Sequence, residues 1–397
     1  MGRFLINPYR ACQLTADPGT AAAFGSNDIV QLHRSISGYE PTPLVELSDL
    51  AIKIGVGRIL VKNEAHRFGL KAFKALGGSY AIYRFVAEYL AAASRACPQA
   101  ERYYSSSGFL HPGELTFCTA TDGNHGRGVA WAAKLLQQKA VIFMPRGTVP
   151  ARIDNIRNEG AEVVVVDGSY DDAVTLCASE AKAHGWQIIS DTSWPGYEQI
   201  PRWIMAGYVT LFREVASAVN EADTVDCVIV QGGVGALAGA AAWYFREESR
   251  WPGAKLISVE PVEAACLLES IESGGGPVLS KGLQDSIMAG LNCGMPSLTA
   301  WPLIKHGFDM FLAIPDSSCV EAMRRYYFST SGDRGIVSGE SGAAGLAALL
   351  DLMSKPEFCE ARSYLGLGHD CTVLLLNTEG DTDPIGFTRR VINETLV

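Results

Sequence analysis

The feature of this sequence that most restricts its fold is a series of short apolar runs rich in Val, Ile and Leu. These runs lie at residues 139–145, 161–167, 226–231, 254–260, 309–314 and 371–377. They show little of the alternation between apolar and polar residues that marks a half-exposed strand. Strands buried on both faces have this composition, and they occur in parallel sheets covered by helices. The runs therefore predict an α/β fold.

Helical patterns separate the apolar runs. They lie at residues 151–160, 171–185, 316–328 and 341–355. Gly160 and Gly185 end the first two patterns, as glycines that cap helices do. Repeated strand–helix–strand order predicts largely parallel sheets, and 397 residues are too many for one small core, so we expect two domains. The least regular part, residues 97–118, predicts an exposed loop.

Composition excludes several classes of protein. The chain is 48% hydrophobic and 19% charged, with a net charge of −10, and it lacks the basic patch that nucleic acids or anionic membranes require. The uncharged run at 227–245 contains glycines and Gln231, which favours a buried strand, loop and helix over a membrane span. The beginning of the sequence lacks the apolar stretch of a signal peptide. We therefore expect a cytoplasmic protein.

The ten cysteines form no C-x-x-C pair and no His/Cys cluster at zinc spacing, so no metal site is predicted. Scattered cysteines of this kind are typical of reduced, mostly buried thiols. Whether Cys266 and Cys293 approach each other is left open.

The segment FGLKAFKALGGSYA, residues 68–81, sets Lys71 and Lys74 among apolar residues just before a Gly-Gly pair. Desolvation of a lysine disfavours its ammonium form and lowers its pKa, and the neutral amine can then attack a carbonyl group. A lysine with a buried stem and a solvated head is the commoner arrangement. These residues alone therefore leave a nucleophilic lysine as the less favoured of two explanations.

A strand, a glycine turn and a helix follow one another in VIVQGGVGALAGAAAWYF. Gly232, Gly233 and Gly235 allow the backbone to approach a ligand closely, and the amides at the start of the helix point at an anion. The same residues fit the dinucleotide fingerprint, with Glu260 at the end of the next strand where a ribose-binding acid is expected. The turn predicts a phosphate site and leaves an NAD-dependent dehydrogenase open.

Three further stretches place polar groups where strands end. In TATDGNHGRGVAW, residues 119–131, Asn124 and the neighbouring amides could hold a carboxylate or a phenolate oxygen, and Asp122 precedes them. Asp191 follows the apolar stretch WQIIS, and Thr378 follows another buried run. A hydroxyl group such as that of Thr378 can share a hydrogen bond with a neutral ring nitrogen. Each position also has an ordinary explanation as a capped turn, a solvated loop acid or a strand end.

Taken together, these motifs closely resemble the diaminopropionate ammonia-lyases, which are pyridoxal-phosphate enzymes of fold type II. The similar stretches, in order, are RFGLKAFKALGGSYA, TDGNHGRGVAW, SDTSWPGYEQIPRWIMAGY, QGGVGALAG, SVEP, GLNCGMP, SGESGAAGL and NTEGDTD. Each motif alone is weak, whereas eight in register over nearly the whole chain are specific. YEPTPLVEL, near residue 39, also resembles the entry segment of that fold.

The resemblance implies a role for each site residue. Lys74, and not Lys71, would bind pyridoxal 5′-phosphate covalently, with Phe73 before it as in the wider fold type. The phosphate would rest on the turn made by Gly232, Gly233, Val234, Gly235 and Ala236. Asn124 would face the ring hydroxyl and Thr378 the pyridine nitrogen. Asp122 and Asp191 would handle the substrate.

The resemblance also implies a homodimer built of two domains, each with a largely parallel twisted sheet flanked by helices. We expect a large cofactor-binding domain at 1–85 and 205–397, with a small α/β domain inserted at 86–204. The small-molecule substrate would be an amino acid.

The implied reaction is the α,β-elimination of 2,3-diaminopropionate to pyruvate and two ammonia. Lys74 would remove the α-proton of the L-isomer and Asp122 that of the D-isomer. Serine and threonine dehydratases of this fold type usually have Ser or Ala where this chain has Asp122, and two carboxylates beside a phosphate favour a substrate with an extra ammonium group. Four alternatives remain: a serine/threonine dehydratase, a lyase for another β-substituted alanine, a non-catalytic cofactor-binding protein and, more remotely, an NAD-dependent dehydrogenase.

Overall fold

The computed structural model describes residues 2–96, 114–329 and 332–393. Most of the predicted loop at 97–118 lies outside these residues. Its last part is a strand, however, because β4 (Thr116–Ala120) begins there and Phe117 and Cys118 are fully buried. The loop prediction is wrong for these positions. A run as short as TFCTA, with two threonines, has too few aliphatic residues to stand out from a loop in sequence.

The strands of the described residues form two sheets. The other strands are β1 (Arg3–Ile6), β2 (Leu44–Glu46), β3 (Arg58–Asn63), β5 (Lys139–Pro145), β6 (Glu162–Val166), β7 (Gln187–Ile188), β8 (Cys227–Gln231), β9 (Lys255–Pro261), β10 (Met310–Ile314) and β11 (Thr372–Asn377). The seven-stranded sheet has the order β1-β10-β9-β8-β11-β3-β2, and the four-stranded sheet the order β6-β5-β4-β7. Only the two edge strands β1 and β2 of the larger sheet pair antiparallel with their neighbours. The six apolar runs are confirmed as strands, with ends that differ by one residue at most.

Helices cover both sheets. They are α1 (Pro18–Phe24), α2 (Ile29–Ser35), α3 (Ser48–Ile54), α4 (Lys74–Ala96), α5 (Asn124–Leu135), α6 (Pro150–Asn158), α7 (Tyr170–His184), α8 (Gln199–Ala218), α9 (Ala236–Trp243), α10 (Cys266–Glu272), α11 (Trp301–Gly307), α12 (Asp316–Tyr327), α13 (Glu340–Ser354), α14 (Cys359–Leu365) and α15 (Pro384–Phe387). Gly160 and Gly185 follow the ends of α6 and α7 with φ of +87° and +69°, the left-handed conformation that glycine adopts readily. The α/β prediction is confirmed.

The helices α4 and α8 lie in the chain between the strands of the two sheets. The four-stranded sheet is built wholly from residues 116–188, whereas the seven-stranded sheet takes strands from both sides of that segment. The predicted domain boundaries near 86 and 204 fall within α4 and α8, which pack against each other. Those boundaries stay a prediction.

Close helix packing explains the Gly-Gly pair after Lys74. A Cβ on Gly77 would stand 2.6 Å from Tyr208 Cε1 and 2.8 Å from Ile204 O on α8. On the other side of α4, a Cβ on Gly128 of α5 would stand 3.1 Å from the backbone of Lys74 and Ala75. Real Cβ atoms almost never approach other atoms as closely as 2.6 Å, so glycines let α5 and α8 close onto the first turn of α4.

Candidate active site

Lys74 is the first residue of α4, and its side chain is largely buried. Its Nζ lies 2.5 Å from Oδ2 of Asp191, which is 117 positions further along the chain. The ammonium also lies 5.7 Å from the centre of the Phe73 ring. The Phe73 amide donates to the carbonyl oxygen of Thr378 at 3.2 Å, just after β11. The structure therefore brings the predicted lysine, one predicted aspartate and the predicted threonine together.

The pKa of Lys74 is opposite in direction to the one that desolvation alone predicts. Burial disfavours the ammonium form, but the Asp191 carboxylate more than compensates and holds the pKa of Lys74 above its ordinary value. For Asp191, burial is outweighed in the same way by Lys74 and His125, so its pKa lies below the ordinary range. The two groups form a charged pair as long as the amine is free. The lowered pKa that the less favoured explanation of this lysine required is therefore not found while the amine is free.

His125 lies beside this pair. Its side chain is 6% exposed, its Nε2 lies 2.8 Å from the carbonyl oxygen of Ile189, and its Nδ1 lies 3.9 Å from Asp191 Oδ2. Burial, the largest cause, lowers the pKa of the imidazole although Asp191 opposes the change. The ring is therefore neutral near pH 7.

The turn at 121–124 leads into α5 at the edge of the same site. Thr121 Oγ1 accepts hydrogen bonds from the amides of Gly123 at 3.0 Å and Gly126 at 3.1 Å, which fixes the turn. The amide nitrogen of Asn124 donates to Glu379 Oε2 at 2.5 Å. Burial raises the pKa of Asp122, an effect that Arg152 and Lys74 partly offset.

The glycine turn between β8 and α9 offers unused backbone donors. Gly233 and Gly235 have φ of +61° and +100°, values that other residues adopt at a cost. The amides of Gly232 and Gly235 donate to backbone carbonyls. In the described part of the chain, the amides of Gly233, Val234 and Ala236 find no acceptor. Three unpaired N–H groups beside a helix start fit a phosphate group.

Glu260 does not have the position of a ribose-binding acid. Its side chain is fully buried, and its two carboxylate oxygens accept from the amides of Leu267 at 2.8 Å and Leu268 at 2.9 Å. Burial raises its pKa to about 8 although these amides oppose the shift. Glu260 thus caps the start of α10, and the dehydrogenase alternative loses the acid on which it depended.

Cys293 lies near both the lysine and the glycine turn. Its Sγ is 3.7 Å from the point where a Cβ on Gly233 would stand, and the charge of Lys74 acts on its thiol. Cys266 also lies at this turn, where its Sγ contacts the carbonyl oxygen of Gly233 at 3.5 Å. Both thiols are free in this structure, as are the other cysteines of the described residues. An amine, a polar turn and a glycine turn with unused amides, all near Cys293 or Lys74, fit pyridoxal phosphate.

Sequence reasoning missed four side chains near this cleft. His125 lies in the same motif as Asp122 and Asn124, which the sequence did mark as site residues. The available signal was a histidine directly after the first residue of a helix. The charges of Lys74 and Asp191 act on Tyr208, from α8, and on Tyr170, from the start of α7. Arg152, from α6, lies against Gly123. Apolar helical spacing hid Tyr208, and no local pattern marked the other two.

Comparisons with known proteins agree with this chemistry. The family of pyridoxal-phosphate dependent enzymes matches residues 36–365. Diaminopropionate ammonia-lyase from Escherichia coli (strain K12) is 43% identical over 359 residues, which are 89% of this chain and 87% of that protein.

Two solved structures of the Escherichia coli lyase also match, each with 38% identity over 99% of this chain and 97% of theirs. The structure in complex with D-serine has a TM-score of 0.87. The structure in complex with an aminoacrylate-PLP azomethine reaction intermediate has a TM-score of 0.84.

The chain belongs to the pyridoxal-phosphate-dependent enzymes of fold type II and, among these, to the diaminopropionate ammonia-lyase family. It is a carbon–nitrogen lyase whose cofactor is pyridoxal 5′-phosphate. Within the described residues, no helix is both long and apolar enough to cross a membrane.

Proposed function

We propose that this enzyme converts 2,3-diaminopropionate into pyruvate and two molecules of ammonia. The observation that carries the proposal is the position of the Lys74 amine. It lies against the Asp191 carboxylate, and its charge acts on Asp122 and on Cys293, whose thiol lies beside the glycine turn with three unused amides. Family membership supports the same reaction.

We assign the holding of the cofactor to four parts of the chain. Lys74 would attach covalently to the aldehyde carbon, and Phe73 would flank the ring. The amides of Gly233, Val234 and Ala236 would bind the phosphate, with Gly232 and Gly235 shaping the turn. The hydroxyl group of Thr378 would meet the pyridine nitrogen. When bound, pyridoxal phosphate accepts the electron pair left at the α-carbon after deprotonation.

Asn124 would face the ring hydroxyl. Its amide nitrogen lies on Glu379 in this structure, so the oxygen of the same amide group is the atom left for a further contact. Glu379 also accepts from the amide of Ser341 at 2.9 Å. This second hydrogen bond fixes the carboxylate and, through it, the orientation of Asn124.

Two bases would serve the two isomers. The Lys74 amine, released when the substrate amine takes its place, would remove the α-proton of the L-isomer, and Asp122 would remove that of the D-isomer from the opposite face. The C–H electron pair becomes the bond between the α- and β-carbons, and the bond from the β-carbon to nitrogen breaks. Water then converts 2-aminoacrylate into pyruvate and a second ammonia.

The carboxylates of the cleft favour a diamino acid over a hydroxy amino acid. Asp122 and Asp191 both lie near the amine, and each is largely removed from water. When Lys74 acts as the neutral base, the nearest cation to these carboxylates is gone, and buried carboxylates need another. The β-ammonium group of diaminopropionate supplies that charge, whereas serine and threonine do not.

We also assign the enzyme to the cytoplasm as a homodimer with an inserted small domain at 86–204. The four-stranded sheet lies wholly inside this segment, which supports the division. The acidic net charge of −10 supports a protein that binds neither nucleic acid nor anionic membranes. Light scattering at working concentrations measures the oligomeric state directly.

One experiment tests the reaction. Purified enzyme with bound cofactor is incubated with D- and L-diaminopropionate, D- and L-serine and L-threonine, and pyruvate, 2-oxobutanoate and ammonia are measured. We expect two ammonia per pyruvate and the highest kcat/KM with diaminopropionate. A higher kcat/KM with serine or threonine would indicate a dehydratase, and no turnover of any β-substituted alanine would indicate a non-catalytic protein.

A further inference from the structure

His125 presents one nitrogen of its ring to the reactive pair without a partner. Its Nε2 lies 2.8 Å from the carbonyl oxygen of Ile189. A carbonyl oxygen only accepts hydrogen bonds, so Nε2 carries the proton and Nδ1 is left with a lone pair. In the described residues, Nδ1 has no hydrogen-bond partner although it is buried. Buried polar atoms without partners are uncommon and call for an explanation.

The nearest charged group to Nδ1 is itself an acceptor. Asp191 Oδ2 lies 3.9 Å away, and Lys74 Nζ is hydrogen-bonded to that same oxygen. The Lys74 ammonium therefore supplies the hydrogen-bond donor that offsets the repulsion between these two acceptors. Its charge also acts on His125, so the ammonium, the carboxylate and the imidazole share one small space.

The Lys74 ammonium is not available as a donor during the reaction. Lys74 cannot hold the cofactor covalently, or remove an α-proton, and at the same time remain an ammonium group on Asp191. When Lys74 is engaged, a carboxylate oxygen and an imidazole lone pair are left facing each other. Two such acceptors need a group with at least two donor hydrogens, and the carboxylate favours one that carries a positive charge.

We propose that His125 Nδ1 and Asp191 Oδ2 together bind the β-ammonium group of the substrate and so select a diamino acid. The inference rests on the proposed function and adds a specificity-determining residue to it. One ammonium group has three N–H bonds and satisfies both acceptors, whereas the single O–H of serine satisfies one. A site built for hydrogen bonds rejects the analogue that leaves one of its polar groups unpaired.

The arrangement also suits the leaving group. Both acceptors bind the β-ammonium without removing a proton, so the nitrogen keeps all three. When its bond to the β-carbon breaks, the electron pair stays on nitrogen and neutral ammonia departs. A hydroxyl group leaving from the same position would need an added proton, for which a neutral imidazole lone pair and a carboxylate offer no source.

Two substitutions of His125 separate the lone pair from the structural contact. His125→Gln places an amide nitrogen where Nε2 stands, so it can still donate to Ile189 while the acceptor at Nδ1 is lost. His125→Asn does the reverse, because its side-chain oxygen stands near Nδ1 while the bond to Ile189 is lost. For each variant we would measure kcat/KM for diaminopropionate and the Kd of D-serine from the visible cofactor spectrum. The cofactor band and the thermal midpoint show that each variant is folded.

We expect His125→Gln to lower kcat/KM for diaminopropionate about 10- to 100-fold, as the loss of a hydrogen bond to a charged group does. The Kd of D-serine should change several times less, and His125→Asn should retain most of the activity on diaminopropionate. Equal losses with both substrates in both variants, or an unchanged preference in His125→Gln, would overturn the inference. A wild-type enzyme with no activity on diaminopropionate would instead overturn the proposed function, and this inference with it.

Discussion

Two lysines of this enzyme each contact a carboxylate at 2.5 Å. They differ in burial, in their other hydrogen-bond partners and in the direction of their pKa shifts. Lys62 on β3 pairs with Glu214 of α8, and Lys74 on α4 pairs with Asp191. The Lys62 side chain is 1% exposed and that of Lys74 is 19% exposed. The neighbours of each pair decide what the pair does.

The Lys62 pair lies in a closed network. Lys62 Nζ also donates to the carbonyl oxygen of Thr42 at 2.7 Å. Glu214 accepts two hydrogen bonds from Arg67, at 2.8 and 2.7 Å, and a third from the Tyr39 hydroxyl at 2.7 Å. Every strong acceptor here has a donor, as buried charges require. Such a network holds the chain before Lys74 in place and has nothing left to bind a substrate.

The Lys74 pair is incomplete by comparison. Asp191 has one strong donor, Lys74, and the nearby His125 nitrogen has none among the described residues. The pKa directions differ as well. Burial outweighs the neighbouring carboxylates and lowers the pKa of Lys62, whereas Asp191 prevails at Lys74 and raises it. Unfilled hydrogen-bonding capacity around the buried charge pair therefore supports the role that we propose for Lys74.

Lys74→Ala should have the largest effect on function. We expect the visible band of the bound cofactor to lose its sensitivity to borohydride and turnover to fall by at least about 10³-fold, because the nucleophile and one base are lost together. Absorption spectra before and after reduction measure the first effect and pyruvate release the second.

Lys71→Ala is the matched control. Lys71 is three positions earlier, 44% exposed and paired with Asp381, so the borohydride-sensitive band should remain. A covalently reducible cofactor in Lys74→Ala would disprove the assignment.

Lys62→Met should have the largest effect on stability. It leaves Glu214 buried with one cation fewer, and breaking a buried pair in this way costs about 3–5 kcal/mol. Denaturant unfolding monitored by circular dichroism measures the change. The folded fraction should still bind the cofactor at Lys74. A stability loss below about 1 kcal/mol would show that the closed network is not the structural element that we describe.

Asp191→Asn should raise the rate at which Lys74 attaches the cofactor and lower the turnover of diaminopropionate. The carboxylate raises the pKa of Lys74, so its removal lowers that pKa and leaves more neutral amine near pH 8. The cofactor-free variant should therefore attach pyridoxal phosphate faster than wild type. Turnover of diaminopropionate should nevertheless fall about 10²-fold, since the ammonium contact is lost. Stopped-flow absorbance measures the attachment, and slower attachment would contradict the pKa direction.

The smallest effect is expected from His33, which connects the two regions. Its Nε2 lies 2.9 Å from the carbonyl oxygen of Leu76 on α4, and its Nδ1 lies 2.7 Å from Thr210 Oγ1. Burial lowers its pKa from 6.5 to about 4. A histidine pKa lowered on folding contributes stability that is complete above pH 6.5 and is lost as the pH falls toward 4.

His33→Gln removes this titration. The free energy of unfolding of the wild type should fall between pH 6.5 and 4 by on the order of 2 kcal/mol more than that of the variant. Urea unfolding at several pH values measures the difference. Parallel curves for the two proteins would show that His33 does not titrate on unfolding.

The sequence predicted much of this molecule where local pattern was sufficient. Aliphatic runs marked six strands almost to the residue, and motif resemblance gave the family and the cofactor, which the comparisons confirm. The local sequence pattern did not reveal short strands such as β4 or the capping role of Glu260. The pairing of Lys74 with Asp191 links residues 117 positions apart, and only their meeting in space reverses the pKa direction that burial alone predicts.

The position of the Lys74 amine depends on three glycines at which the neighbouring helices come close to α4. The α-carbon hydrogens of Gly77, Gly128 and Gly207 take the place of methyl groups where α5 and α8 close on α4. An alanine at any of them would push the first turn of α4 outward and displace the Lys74 side chain along with it. The position of the lysine that we propose as the nucleophile therefore depends on residues that have no side chain.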